Sequence, residues 1–325
     1  MILAVDGGNS KTDLALVARD GALLAHARGP LSSPHQLGLD GCLEVLQNLV
    51  DEAGLDGRRA EVAQVLLAGI DFPDEEERLL AAVSERRWAS TARVGNDTFA
   101  VLRAGTERGW GVAITCGAGI NCVGVGPDGR HVRFPALGPI TGDWGGGYDV
   151  GLAGISAAAR SEDGRGPATA LERLVPEHFG LSAPSELARA IHRGTIAQRR
   201  ATELAPVVLA AAASDRVAAG IVERLAAEIV DLARVAVLRL GLAGAPVEVL
   251  VGGGLMRSAD DALLARIQAG LDAVGPGLVL RRTSAPPVVG AALLGLDELG
   301  AGPEAQARVR SELGAAVERL ETEVD

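Results

Sequence analysis

The chain has 325 residues, 48% of them hydrophobic and 22% charged, enough for a sizeable core and for about two domains. Its 31 basic and 42 acidic side chains give a net charge of −11, and aromatics make up 2%, which leaves neither a basic stripe nor stacking platforms for nucleic acid. Three cysteines (Cys42, Cys116, Cys122) give no disulfide framework, the first strand begins at residue 2, and the apolar stretch 112–125 is too short and too broken by Gly, Thr and Asn to span a bilayer, so the expectation is a cytoplasmic protein with no membrane partner.

Residues 2–28 read as strand, glycine turn, strand, Asp20-Gly21 turn, strand. A helix is predicted over about 39–54, with Leu39, Leu43, Leu46 and Val50 on one face, then a buried strand from Val62 to Ala68, a helix over about 74–87, and a short strand from Ala92 to Gly95. Residues 111–134 repeat the opening meander, with Gly117-Ala118-Gly119 in the first turn and Asp128-Gly129 in the second. Two such meanders about 110 residues apart predict a duplicated α/β domain, with a boundary between 105 and 106. From about 148 to 242 the pattern is helical, clearest over 217–240, and the Gly-, Pro- and charge-rich stretch beginning at 161 reads as a helical insertion, over about 161–213, of lid or cap type. A strand at 247–251, a helix at 259–271, a strand at 278–280, a helix at 288–299 and an exposed amphipathic helix over the last 20 residues complete the chain.

Lys11 is the only lysine, and it lies in the first glycine turn, Asp6-Gly7-Gly8-Asn9-Ser10-Lys11-Thr12. A compact ammonium fits beneath a phosphate where the planar fork of Arg does not, so its retention in an Arg-rich chain points to a phosphate loop. Glycines let backbone N–H groups approach phosphate oxygens, and Ser10, Lys11 and Thr12 add donors. Asp6, at the end of a buried strand, could hold Mg²⁺ through water. Gly117-Ala118-Gly119 occupies the matching turn of the second meander. Gly252-Gly253-Gly254 follows a buried strand and precedes a helix with Ser258 as predicted N-cap, a place for a flat group and an anion. In Gly95-Asn96-Asp97-Thr98, Asp97 is either a helix N-cap or a general base, and this motif alone favours the cap. Gly142-Asp143-Trp144 is a substrate-facing loop or another cap. Gly124-Val-Gly126 matches the dinucleotide fingerprint in letters only, since no helix follows, and Cys116, Cys122 and His131 lack zinc spacing.

In order and spacing these motifs resemble the actin, hexokinase and heat-shock chaperone ATPase superfamily. More closely, the chain resembles the BadF/BadG/BcrA/BcrD ATPases and N-acetylglucosamine kinases, from Asp6 to the helix after Pro287. The resemblance implies a duplicated ribonuclease-H-like fold, two lobes with an ATP and Mg²⁺ cleft between them, and an amino sugar, N-acetylglucosamine or a related sugar as phosphoryl acceptor. It implies that Asp6 sits near the metal, that Gly7, Gly8, Asn9, Ser10, Lys11 and Thr12 with Gly117, Ala118 and Gly119 hold phosphates, and that Gly252, Gly253 and Gly254 carry the adenosine. It makes Asp97 the proton acceptor, and Ser33, Asn96 and Asp143 substrate contacts. A homodimer is expected by the same resemblance, and an ATPase activator of a dehydratase or a non-catalytic sugar- or nucleotide-binding regulator is the alternative. The chain departs from the family's usual pattern at Ala118 and Ile120, which remove two hydroxyls from the second loop. It departs again at Leu137 and Trp144, where the family's N-acetylglucosamine kinases carry Trp and Glu, and at Ser33, where they tend to carry Asn.

Overall fold

In the computed structural model, which describes residues 1–322, each meander becomes three strands of a five-stranded mixed sheet. The first sheet contains β1 (Ile2–Gly7), β2 (Lys11–Val17), β3 (Leu23–Pro30), β4 (Ala60–Leu67) and β5 (Ala89–Asn96), in the order β3-β2-β1-β4-β5. β1, β2 and β3 pair antiparallel, whereas β4 and β5 add in parallel, β4 beside β1. Parallel strands require crossovers, supplied by α1 (Pro34–Glu52) and α2 (Pro73–Arg86); α3 (Thr98–Gly105) follows β5. α1 is kinked at Gly38 (φ 69°), which is why apolar periodicity begins only at Leu39, and Leu43, Leu46 and Val50 are buried as predicted. The second sheet contains β6 (Gly111–Cys116), β7 (Ile120–Val125), β8 (His131–Arg133), β9 (Val247–Gly252) and β10 (Leu278–Arg282), in the order β10-β9-β6-β7-β8. That is the first order read from its other edge, with β9 and β10 again parallel additions, so the predicted duplication holds at the level of topology.

The chain divides into one unit of Met1–Gly111 with the returning segment from Thr283, and a second of Val112–Arg282. The division at 105/106 therefore needs correction at its far end. The last two helices, α11 (Pro287–Glu298) and α12 (Pro303–Thr322), belong with the first sheet. Val288, Val289, Ala291, Ala292, Leu293 and Leu296 join Ile2, Ala4 and Ala15 in one apolar cluster, and Gly290 lies so close to α3 that a Cβ would stand 1.9 Å from the Ala100 carbonyl oxygen. Nor is the terminal helix free in solvent: α12 is amphipathic as expected, but buries Val309, Leu313 and Val317 in the same cluster. The last three residues of that prediction lie outside the described residues.

In the second unit the long helices are α4 (Gly146–Glu162) and α8 (Arg216–Arg239), with α5 (Leu171–His178), α6 (Pro184–His192), a 3-10 turn at Gln198–Leu204 and α7 (Ala205–Ala211) between them. Segment 161–213 is helical as expected, and it packs on α4 rather than standing off as a lid: a Cβ on Gly151 would meet the Ala201 carbonyl oxygen at 1.8 Å. After β9 come a single turn, α9 (Gly254–Arg257), and then α10 (Asp261–Val274). Ser258 is the C-cap of α9, not an N-cap, and Asp260 caps α10 by accepting from the Leu263 N–H at 2.9 Å. Among the described residues no single helix is long and apolar enough to cross a membrane.

Candidate active site

In the first unit, carboxylates gather at the carboxyl ends of β1, β4 and β5, the end of a parallel arrangement where α/β folds place ligands. Asp6 is half-buried near the end of β1, opposite Asp13 in register. Burial pushes its carboxyl well above the usual range, Asp97 and then Asp13 add to the rise, and Lys11 and Arg28 oppose it. Asp13 itself is buried, which pushes its carboxyl up, but bonds from His26 (2.9 Å) and Arg28 Nε (2.7 Å) outweigh that and hold it low. The Lys11 ammonium lies 3.8 Å from Asp13 and is 44% exposed, at the mouth of a turn closed by the Gly8 N–H donating to the Lys11 carbonyl. Asn9 and Ser10 are exposed on that turn.

Asp97 begins α3, yet its side chain makes no cap hydrogen bond. Asn96 does the capping. Its Oδ1 accepts from the Thr98 N–H (3.0 Å) and hydroxyl (2.6 Å), while its Nδ2 donates to the Ile70 carbonyl (3.3 Å) and to Asp71 Oδ1 (2.9 Å). The cap reading that the motif favoured therefore falls to the neighbouring residue, leaving the Asp97 carboxylate for other work. Burial and then the Asp71 charge raise its pKa to about 7, against the pull of the Thr98 and Asp97 backbone amides. A carboxylate titrating there is suited to accept a proton near neutral pH.

Other expected contacts in this unit point inward. Thr12 is fully buried, its hydroxyl bonded to the Pro30 carbonyl and Ser32 at 2.7 Å each, so its side chain is structural rather than a donor on the loop. Asn96 is 1% exposed with both ends of its amide engaged, which places it behind the site rather than at a substrate surface. Ser33 is buried at the start of α1; its hydroxyl has no hydrogen-bond partner and faces Gly69.

In the second unit three glycine loops converge, and backbone contacts show why they are glycine. The turn Gly117–Gly119 is fastened to the start of α4 by Gly147 N–H donating to the Gly117 carbonyl (2.8 Å) and Tyr148 N–H to that of Ala118 (2.9 Å). Gly146 (φ 73°) passes so close that a Cβ would stand 2.3 Å from the Gly119 carbonyl oxygen. Gly253 (φ 94°) leaves β9 equally close to β6, with a Cβ placed 2.4 Å from the Cys116 carbonyl oxygen. The result is a cavity of about 280 Å³ lined by Gly117, Ala118, Gly147, Gly254, Thr202, Ala205, Pro206, Leu255 and Ser258. Gly252 ends β9 beneath it, paired with Thr115. Two of the predicted loops thus share one cavity with apolar walls and exposed backbone, a form that suits a flat base and its attached phosphates. Thr202, Ala205 and Pro206 were not anticipated: they come from the helical insertion, and nothing in their local spacing marks them.

Asp143 stands apart, in a hollow of about 140 Å³ with Ile120, Phe134, Trp144 and Glu228, where it accepts from the Thr141 hydroxyl. The Arg224 guanidinium sits 4.1 Å over the Trp144 ring, which also borders a hollow of about 480 Å³ between α4 and α8 that neither the Gly117–Gly119 turn nor the Gly252–Gly254 loop lines.

A model of the BadF/BadG/BcrA/BcrD ATPase family matches residues 3–295. The chain belongs to this family. The chain is 28% identical over 263 residues to an N-acetylmuramic acid/N-acetylglucosamine kinase of Clostridium acetobutylicum, covering 79% of this chain and 86% of that protein. It is 27% identical over 319 residues to an N-acetyl-D-glucosamine kinase of Dictyostelium discoideum, covering 91% and 98%. Among solved structures, a candidate N-acetylglucosamine kinase from Chromobacterium violaceum superimposes with a TM-score of 0.69 at 23% identity, over 90% of this chain and 98% of that one. A ROK family glucokinase from Streptomyces griseus, solved with glucose and AMPPNP, gives 0.52 at 17% identity, over 90% and 98%. Likenesses at this identity establish the fold: this BadF/BadG/BcrA/BcrD family member has the duplicated, actin-like ATPase fold, with mixed five-stranded sheets as described.

Proposed function

We propose that this protein is an ATP-dependent carbohydrate kinase that transfers the γ-phosphoryl group of Mg-ATP to a hydroxyl of an amino sugar, N-acetylglucosamine or a related sugar. The observation that carries the reading is Asp97: a carboxylate at a strand end, relieved of capping by Asn96 and held at a pKa of about 7, is equipped to take a proton from a hydroxyl. Both named relatives, from Clostridium acetobutylicum and Dictyostelium discoideum, are kinases of N-acetylated amino sugars, which supports the acceptor class.

The roles follow from the chemistry of phosphoryl transfer, which needs charge neutralisation and alignment more than covalent help. The glycine-lined cavity of the second unit takes the nucleotide, its backbone amides and open walls receiving a flat base and phosphate oxygens. The Gly7–Thr12 turn offers backbone N–H groups and the Lys11 ammonium to phosphate. Asp97 accepts the proton of the sugar hydroxyl as the oxygen attacks phosphorus. Among the described residues no cluster of three or more His, Cys, Asp and Glu side chains could hold a metal unaided, and Mg²⁺ suits such a place because it keeps its water and relies on one or two carboxylates plus substrate phosphates. Asp6 is the residue placed to assist it, and the ion would neutralise charge on the phosphates.

The activator reading requires thiolates presented to a metal cluster. Cys42, Cys116 and Cys122 are all buried, and burial pushes the first two thiols to about 12 and the third higher still, which disfavours that role. An ADP-release assay with Mg-ATP against hexoses, hexosamines, N-acetylhexosamines and nucleosides tests the proposal. Many-fold stimulation by an amino sugar is the expected result, and acceptor-independent hydrolysis would return the choice to an activator or a regulator.

A further inference from the structure

Asp71 is absent from every motif recognised in the sequence, yet it is bonded directly to the residue that caps α3. An aspartate beginning a helix ordinarily accepts from the amides of the first turn. Asp97 makes no such cap bond, and the Thr98 N–H, close enough to its carboxylate to favour the charged form, is held by the Asn96 oxygen at 3.0 Å together with the Thr98 hydroxyl at 2.6 Å. The orientation of the Asn96 amide is unambiguous. A backbone N–H can only donate and a backbone carbonyl can only accept, so oxygen faces Thr98 and nitrogen faces the Ile70 carbonyl at 3.3 Å. The same nitrogen reaches Asp71 Oδ1 at 2.9 Å, the charge-assisted and shorter of its two bonds. Asp71 is in turn held in place: the Asp71 and Phe72 N–H groups donate to Glu75 Oε2 at 2.8 and 3.0 Å, in the capping box of α2. A rigid path therefore runs from the start of α2 through Asp71 and the buried Asn96 to the start of α3.

We infer that Asp71 is a positioning residue for the phosphoryl-acceptor centre: it locks the Asn96 amide so that Asn96, and not Asp97, caps α3. Without that lock the Asn96 nitrogen keeps only its longer bond to the Ile70 carbonyl at 3.3 Å, the side chain loosens about its Thr98 contacts, and Asp97 is drawn toward the first turn and away from a substrate hydroxyl. The inference rests on Asp97 being the proton acceptor of the proposed kinase.

The experiment measures kcat and both KM values with Mg-ATP and N-acetylglucosamine for the wild type, D71A, D71N and D97N. D71A is expected to lower kcat by on the order of 10- to 100-fold, the range of a misplaced base, with both KM values within about threefold of wild type. D71N keeps an oxygen that accepts from Asn96 and is expected to recover most of that loss. D71A turning over within about twofold of wild type overturns the inference, and so does D71N failing as badly as D71A. If D71A does not fold, D71S decides: its hydroxyl is too short to reach the Asn96 nitrogen that Asp71 meets at 2.9 Å, so D71S is expected to lose at least tenfold in kcat where D71N keeps most of it, and equal turnover of the two overturns the inference. D97N separates the two levels: full turnover in D97N removes the parent reading and this one together, whereas an inactive D97N beside a normal D71A rejects the positioning role alone.

Discussion

At Asp97, two properties that usually conflict occur together. Its raised pKa means that the folded chain binds a proton which the unfolded chain, titrating near 3.8, releases. Between about pH 4 and pH 7 the folded state therefore holds more protons, and stability falls as pH rises through that window. Asp97→Asn removes the titration, so the variant is expected to exceed the wild type in Tm at pH 8, by at most about 4 kcal/mol in stability and less because solvent reaches part of the residue, with a smaller gain at pH 5. The kcat/KM of the wild type should fall about tenfold per pH unit below pH 7, as the base is protonated. Thermal melts at the two pH values and a pH–rate profile check both; a variant less stable than wild type at pH 8 would remove the strain assigned to this carboxylate. From the Asn96-Asp97-Thr98 sequence alone Asp97 read as the cap of α3 or as a general base, with the cap favoured, and nothing marked Asn96 as the residue that would hold the Thr98 N–H. The choice was settled by Ile70 and Asp71, which reach Asn96 only through the β4–β5 pairing. The signal that would have found Asp71 was its place just beyond the carboxyl end of a buried parallel strand. Ser33 and Thr12 show the converse, polar residues in a suggestive motif whose side chains turn inward to pack.

Among elements, the glycine loops carry the nucleotide reading, and they are not equivalent. Gly146 combines a left-handed backbone (φ 73°) with a Cβ position 2.3 Å from the Gly119 carbonyl oxygen, whereas nothing lies within 4 Å of a Cβ on Gly117. Gly146→Ala should push the Gly117–Gly119 turn off α4, at a cost of roughly 1–3 kcal/mol, and weaken ATP binding. Gly117→Ala should leave both stability and fold unchanged. Melting curves and ATP titrations of the two variants distinguish them, and equal behaviour would mean that the turn is not built on this close approach. The loops themselves were legible as glycine clusters at strand ends. Their convergence was not, because it depends on β9 lying beside β6 and on the start of α4 meeting the turn, both long-range facts. Ser258 was misjudged as an N-cap for a related reason: Gly253 starts a helical turn directly after β9, so the serine falls at the end of that turn.

For the whole molecule, the duplication was readable from two meanders, while the return of the chain to the first unit was not. An apolar run such as 288–296 signals a buried helix without naming the sheet that buries it. The small residues that decide this, Gly290 against Ala100 and Gly295 against Ile2, act only once the helix is docked. Leu313, fully buried on α12, provides a test: Leu313→Ala should destabilise the protein by about 2–5 kcal/mol in urea unfolding, and a change below about 0.5 kcal/mol would show that the terminal helix is not part of this core. The account as a whole stands on a sugar phosphate. The most direct measurement is phosphorus NMR of the protein with Mg-ATP and N-acetylglucosamine or glucosamine, alongside D97N. The predicted result is a sugar phosphate ester formed in step with ADP by the wild type and absent with D97N. ADP appearing without any sugar ester, or an ester formed equally well by D97N, would contradict it.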